Sequence, residues 1–102
     1  MFYGMTYNEF REKMAKKDQK LGTPFENEYE ALDFANKNWL KENEYQGEYA
    51  RFLVVIDSTD TSKVAFFQFT HYNTCKKFIE SGEKINWSDD AHKIWNGDAK
   101  MM

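Results

Sequence analysis

The sequence contains a single cysteine, no long apolar run and no excess of positive charge. Because Cys75 has no second cysteine to pair with, an internal disulfide is excluded and a reducing compartment is expected. The longest apolar run, residues 52–56, is far shorter than the roughly 20 residues of a membrane span. Residues 1–5 lack the basic and apolar segments that open a secretory signal. These absences predict a cytoplasmic protein that does not act at a membrane.

Charge is distributed unevenly along the chain. The formal net charge is −3, yet residues 23–48 carry seven acidic and two basic side chains, whereas residues 1–22 have a net charge of +2. A general binder of polyanions is usually basic overall, so the charge argues against that class. Lysine outnumbers arginine twelve to two. That bias is typical of A·T-rich genomes, including those of many phages and mobile elements.

Length and aromatic content describe the expected core. A chain of 102 residues is expected to form one domain over residues 1–102, with the last few residues frayed. Its aromatic share is 18%, from nine Phe, six Tyr and three Trp. Aromatic side chains bury large areas in cores and are also enriched at binding surfaces. The composition therefore predicts an aromatic core, and it is also compatible with an aromatic binding surface.

Two apolar runs separated by turn-forming residues predict an antiparallel hairpin over about 50–57 and 63–70. Every position from 52 to 56 is apolar, so the first strand needs cover on both faces. On the second strand, Phe66 alternates onto the same face as Gln68. That face is expected to be only partly covered and to expose aromatic side chains.

Capping patterns predict four helices. The hairpin needs a third strand, because a hairpin alone is only marginally stable. The third strand is expected from either Met1–Met5 or Lys84–Trp87. The order is then α-α-β-β-α-(β)-α, an α+β domain with helices packed on a small antiparallel sheet. The first helix is expected to have Thr6 as N-cap, with Glu9 completing a capping box, and to stop at Gly22. The second is expected to have Thr23 as N-cap, Pro24 as first helical residue and Glu26 in the capping box, and to end near Asn43. The third is Thr74–Ser81, capped by Asn73 and stopped by Gly82, and the fourth covers about 88–96.

Three sets of exposed residues are candidates for binding. Lysines at the i, i+3, i+4, i+7 spacing form one face of the first helix, a conceivable phosphate contact. Acidic residues on the second helix could meet a basic partner surface. Phe66 and Gln68 mark the partly covered sheet face. The full candidate set is Lys13, Lys16, Lys17, Lys20, Glu26, Glu30, Asp33, Phe66 and Gln68.

Residue types that carry chemistry are present but poorly spaced. His71 and Cys75 lie four residues apart and could join His92 as zinc ligands or as a nucleophile with its base. Zinc sites usually show two closely spaced ligand pairs, and this chain has one. Asp89 and Asp90, with Glu83 nearby, fit a helix start as well as acid–base chemistry. No catalytic residue, metal or cofactor is assigned.

These observations predict a small non-enzymatic binding protein. The first hypothesis is a regulator or inhibitor from a phage or mobile element that contacts a host protein, such as a defence or nucleic-acid-processing protein. The alternative is a single-stranded nucleic-acid-binding module that uses sheet aromatics and the helix 1 lysines. A third, enzymatic hypothesis rests on Cys75 and its histidines. An uncovered sheet edge or face also leaves homodimerisation open.

Overall fold

A computed structural model describes residues 1–16, 20–43, 51–59 and 63–88 of the chain. Over these ranges the protein has three helices and a three-stranded antiparallel sheet, which confirms the α+β class. The predicted final helix and the frayed terminal residues fall beyond residue 88 and stay predictions. The elements in chain order are β1 (Phe2–Thr6), α1 (Tyr7–Ala15), α2 (Glu28–Asn43), β2 (Arg51–Asp57), β3 (Val64–Phe69) and α3 (Tyr72–Ser81).

The third strand of the sheet is the N-terminal segment, one of the two positions that the sequence left open. The strand order is β1-β2-β3, so β2 is central, with Phe2 opposite Asp57 and Arg51 opposite Phe69. The alternative segment, residues 84–87, is not a strand. The first element is therefore a strand and not the helix that opens the predicted order. Helix α1 follows directly, since Thr6 is both the last residue of β1 and the N-cap of α1.

Helices pack on both faces of the sheet, although α1 covers its face only in part and leaves Phe52 and Phe66 exposed. On the α2 face, α2 and α3 pack over Leu53 and Val55. On the α1 face, Phe10 of α1 joins Val54 and Ile56 in a second buried cluster. Burial of these side chains supplies the main stabilisation of the sheet, at roughly 1.5–3 kcal/mol for each large aliphatic side chain.

Helix α1 begins as predicted and ends early. The side chain of Thr6 accepts a hydrogen bond from the backbone N–H of Glu9 at 3.2 Å, so Thr6 is the N-cap. The helix ends at Ala15, and the predicted stop at Gly22 is wrong. Residues 15–20 carry no large apolar side chain to pack on the sheet, and short helices depend on such packing.

Helix α2 begins at Glu28, four residues after Pro24, which the sequence predicts as the first helical residue behind a cap at Thr23. Phe25 exchanges two backbone hydrogen bonds with Phe2, at 2.7 and 2.8 Å, which hold the chain extended there. The Asn27 side chain then accepts hydrogen bonds from the backbone N–H groups of Tyr29 and Glu30, at 2.7 and 3.3 Å. Asn27 is therefore the cap, and the predicted cap at Thr23 is wrong. The helix runs to Asn43, after which the chain lies outside the described residues, so the predicted end near Asn43 stays a prediction.

Helix α3 begins at Tyr72, before the predicted cap at Asn73, with His71 as N-cap and no side-chain capping bond. Its end is confirmed at Gly82, which has φ +68° and donates its N–H to the carbonyl of Ile79 at 3.2 Å. The helix turns the buried Cys75 toward the α2 face cluster. Among the described residues, no helix has the length and apolar character needed to cross a membrane.

Candidate functional site

An aromatic patch lies on the α1 face of the sheet, where β2 begins and β3 ends. We define the aromatic patch as Tyr7, Phe52, Phe66 and Gln68. In the register of β2 and β3, Phe52 lies opposite Gln68 and Val54 lies opposite Phe66, so these side chains share one face. Phe52 is 47% exposed and Phe66 is 38% exposed, and Gln68 is also exposed.

Helix α1 supports the patch without covering it. The Tyr7 ring lies 6.3 Å from the Phe52 ring and 6.4 Å from the Phe66 ring, measured between centroids. The buried Phe10 ring meets Phe66 edge-on at 5.8 Å. The Arg11 guanidinium carbon lies 5.9 Å from the Tyr7 centroid, which adds a cation at the border. Contacts with α1 therefore hold the Phe52 and Phe66 rings in place, while part of each ring is exposed to solvent.

Sequence reasoning found half of this patch. Phe66 and Gln68 lie on the exposed part of the predicted face. Phe52 and Tyr7 were missed as surface residues, because the exposure of Phe52 depends on how the start of α1 lies over the sheet. The available signal was the polar Gln68 on the same face, which the observed register places opposite Phe52.

The predicted lysine face of the first helix is not formed. Lys13 lies within α1, Lys16 is its C-cap, Lys17 lies outside the described residues, and Lys20 follows in a non-helical segment. The ammonium group of Lys13 donates a hydrogen bond to the carbonyl of Lys20. This contact joins the two ends of the predicted stripe, and the described part of the chain forms no four-lysine helical row for a phosphate backbone.

The predicted acidic residues lie on the α2 side of the molecule. Glu30 and Asp33 line a shallow groove of about 370 Å³, which we call the α2 groove, together with Phe25, Tyr29, Phe34 and Ile79. Lys37, also at the groove, forms an ion pair with Asp33 at 2.9 Å, and hydrogen bonding and charge attraction from Asp33 raise the pKa of Lys37. Glu26 is exposed just before α2 and does not line the groove.

The environment of Cys75 opposes nucleophilic chemistry. Burial raises the pKa of the Cys75 thiol to about 12, and the negative charge of Asp33 adds to the rise, while Arg51 acts against it. The thiol is therefore protonated at neutral pH, and the thiolate is the reactive form. His71 is exposed, with Nδ1 3.1 Å from the Thr70 hydroxyl. His92 lies outside the described residues.

The other chemistry-bearing candidates are only partly described. Glu83 is exposed after α3, and Asp89 and Asp90 lie outside the described residues. Within the described ranges, no three side chains of His, Cys, Asp or Glu are grouped in a way that could hold a metal ion.

A buried guanidinium at the start of β2 was not anticipated from the sequence. Arg51 is fully buried, and its guanidinium carbon lies 4.3 Å from the centroid of the Trp39 ring. None of its side-chain nitrogens has a hydrogen-bond partner among the described residues. Burial lowers the pKa of Arg51 from its ordinary value. Within the described part of the chain, the cation is thus compensated by the aromatic face of Trp39 rather than by an acceptor.

Comparison with protein-family models, with curated proteins and with solved structures finds no match to this chain. The candidate functional surfaces of the described residues are the aromatic patch and the α2 groove.

Proposed function

We propose that this chain is a small non-enzymatic binding protein that contacts a protein partner through the aromatic patch. The observation that carries the proposal is the pair of exposed rings, Phe52 and Phe66, supported side by side by Tyr7. Exposed clustered aromatic side chains are costly to leave in water, and aromatic residues dominate the energetics of protein interfaces. The polar Gln68 beside the rings supplies a hydrogen-bonding group for orientation.

The wider assignment is a phage or mobile-element regulator that inhibits a host protein, such as a defence or nucleic-acid-processing protein, in the cytoplasm. It is supported by the twelve-to-two excess of lysine over arginine, which fits an A·T-rich genome, and by the lone cysteine. The segregation of acidic residues into 23–48 supports a protein partner, because complementary charge directs association between proteins.

The test compares three forms of the chain in pull-downs from a lysate of the host cell. These are the wild type, the patch variant Phe52→Ser/Phe66→Ser, and a control, Lys77→Ser/Lys84→Ser, whose two sites are exposed elsewhere. The wild type and the control are expected to retain the same stoichiometric protein, and the patch variant is expected to lose it. Recovery of no stoichiometric protein, or equal retention by a folded patch variant, would refute the proposal.

A second copy of the chain is one form that the protein partner could take. Analytical ultracentrifugation would then show a concentration-dependent dimer that Phe52→Ser/Phe66→Ser abolishes. A dimer that persists in this variant would assign the contact to another surface.

Single-stranded nucleic acid is the second candidate partner, because the two exposed rings come from neighbouring strands of one sheet face. Stacking on such rings contributes about 1–3 kcal/mol per base, and affinity falls steeply with salt. Fluorescence anisotropy of labelled thymidine and uridine oligomers at low salt tests this. Saturable binding that requires both rings would favour it, and absence of binding at low salt would remove it.

A further inference from the structure

We propose that the α2 groove binds a segment of a protein partner in which an apolar side chain lies next to lysine or arginine. The groove and the aromatic patch are on opposite sides of the molecule, since α2 covers one face of the sheet and the patch lies on the other. This proposal therefore does not depend on the function proposed for the patch, and either can fail alone.

The apolar part of the groove fits a short anchor. The rings of Phe25 and Phe34 lie 5.2 Å apart between centroids, and Ile79 of α3 contributes an aliphatic wall. The volume, about 370 Å³, is at the lower end of the roughly 300–1,000 Å³ typical of ligand pockets. A groove of this size accommodates one anchoring side chain and its immediate neighbours rather than a long helix.

Hydrogen bonds outside the groove hold its walls in place. The Tyr29 hydroxyl donates to the carbonyl of Glu83 at 2.6 Å and also lies 3.3 Å from the carbonyl of Gly82, which ties α2 to the segment after α3. The two backbone hydrogen bonds between Phe25 and Phe2 fix the opposite wall to the sheet. A preorganised groove loses little conformational freedom when it is filled, so more of the contact energy appears as affinity.

The charge at the rim selects a basic partner. The Asp33 carboxylate pairs with Lys37, whereas Glu30 is exposed and has no ion pair within the described part of the chain. Residues 23–43 carry five acidic and two basic side chains. A lysine or arginine beside the anchor can approach Glu30, while phosphate groups and acidic segments are repelled.

Blocked tripeptides provide the probe, with NMR of the full chain labelled with ¹⁵N and with ¹³C at isoleucine methyl groups. The peptides are lysine-leucine-lysine, glutamate-leucine-glutamate and lysine-glycine-lysine, each titrated to several millimolar. We expect only the first to shift the Ile79 methyl signal together with the amide signals of Glu30 and Lys37. Higher salt should weaken this binding, because the charge attraction between Glu30 and the peptide lysines is exposed to solvent.

Charge reversal distinguishes the groove from general attraction to an acidic protein. Glu30→Lys is expected to weaken binding of lysine-leucine-lysine by about two- to fivefold, the scale of exposed ion pairs. Glu12→Lys makes the same change on α1, at an exposed position on the other face of the sheet, and should leave the affinity unchanged. Three outcomes would overturn the proposal: equal shifts from the acidic peptide, no shift at the groove signals, or equal weakening by both substitutions.

Discussion

Replacement of Gly4 by alanine is expected to destabilise the fold severely, because Gly4 is the point where β1 touches the backbone of α2. A Cβ atom at this position would lie 1.8 Å from the carbonyl oxygen of Ala31 and 2.5 Å from its carbonyl carbon. Ordinary contact begins near 3.4 Å, so strand and helix would have to separate by about 1.6 Å. The obstacle is backbone, which cannot turn aside as a flexible side chain can.

The cost follows from what α2 contributes to the core. Separation would loosen Leu32 and Ala35, which are fully buried against the sheet. Overpacking costs about 1–3 kcal/mol where side chains can adjust, so we expect a loss of about 3 kcal/mol or more for Gly4→Ala. That is a large share of the roughly 5–15 kcal/mol that stabilises a typical domain. Urea unfolding followed by circular dichroism and tryptophan fluorescence measures the loss.

Two further variants test the stated reason. Gly82→Ala places a Cβ in open space at φ +68°, so only the left-handed backbone is penalised, by about 1 kcal/mol. Gly4→Ala/Ala31→Gly removes the Ala31 side chain but keeps its carbonyl group, so it should not restore stability. Recovery of stability in that double variant, or a cost for Gly4→Ala no larger than for Gly82→Ala, would refute the reasoning.

Three other predictions concern single side chains. Because the folded state raises the pKa of Cys75 from 9.0 to about 12, it holds the thiol proton more tightly than the unfolded state does. The free energy of unfolding should therefore fall as pH rises from about 9 to 12, and Cys75→Ala should lack this part of the pH dependence; identical profiles would contradict it. Asn27→Ala should cost about 1 kcal/mol in urea unfolding through loss of the α2 cap, whereas Thr23→Ala should change stability by less than about 0.5 kcal/mol; the reverse ranking would restore the cap at Thr23. Arg51→Met should raise the free energy of unfolding by about 1 kcal/mol or more. Burial of a cation without an acceptor among the described residues costs several kcal/mol, and contact with the Trp39 ring offsets only about 2 kcal/mol of that cost. A loss of stability would show that Arg51 has an acceptor.

Features set by neighbouring residues were predictable from the sequence. The Thr6 cap depends on a hydroxyl and an N–H three residues apart, and the stop at Gly82 depends on the freedom of one glycine. Strands β2 and β3 lie within the predicted ranges, because β-branched and aromatic residues fill both. The burial of residues 53–56 on both faces of β2 likewise follows from the apolar run, whereas Phe52 at its start is exposed.

Features set by distant residues were not predictable in this way. Thr23, Pro24 and Glu26 form a strong local helix start, yet the backbone bonds between Phe25 and Phe2 hold that segment extended. The lysine row was inferred from spacing alone, and α1 ends before it is complete. At Phe25 a contact between segments far apart in sequence outweighs a local preference of about 1 kcal/mol, whereas α1 ends where the chain has no large apolar side chains to pack on the sheet.

The candidate surfaces divide along the same line. That Phe66 and Gln68 share one sheet face and that residues 23–48 are acidic can be read from the chain alone, since alternation and charge are properties of the sequence. The exposure of Phe52 beside Phe66, the position of Glu30 at an apolar groove and the burial of Arg51 against Trp39 result from tertiary packing. Exposure depends on which helix covers each position, and helix placement results from packing across the whole fold.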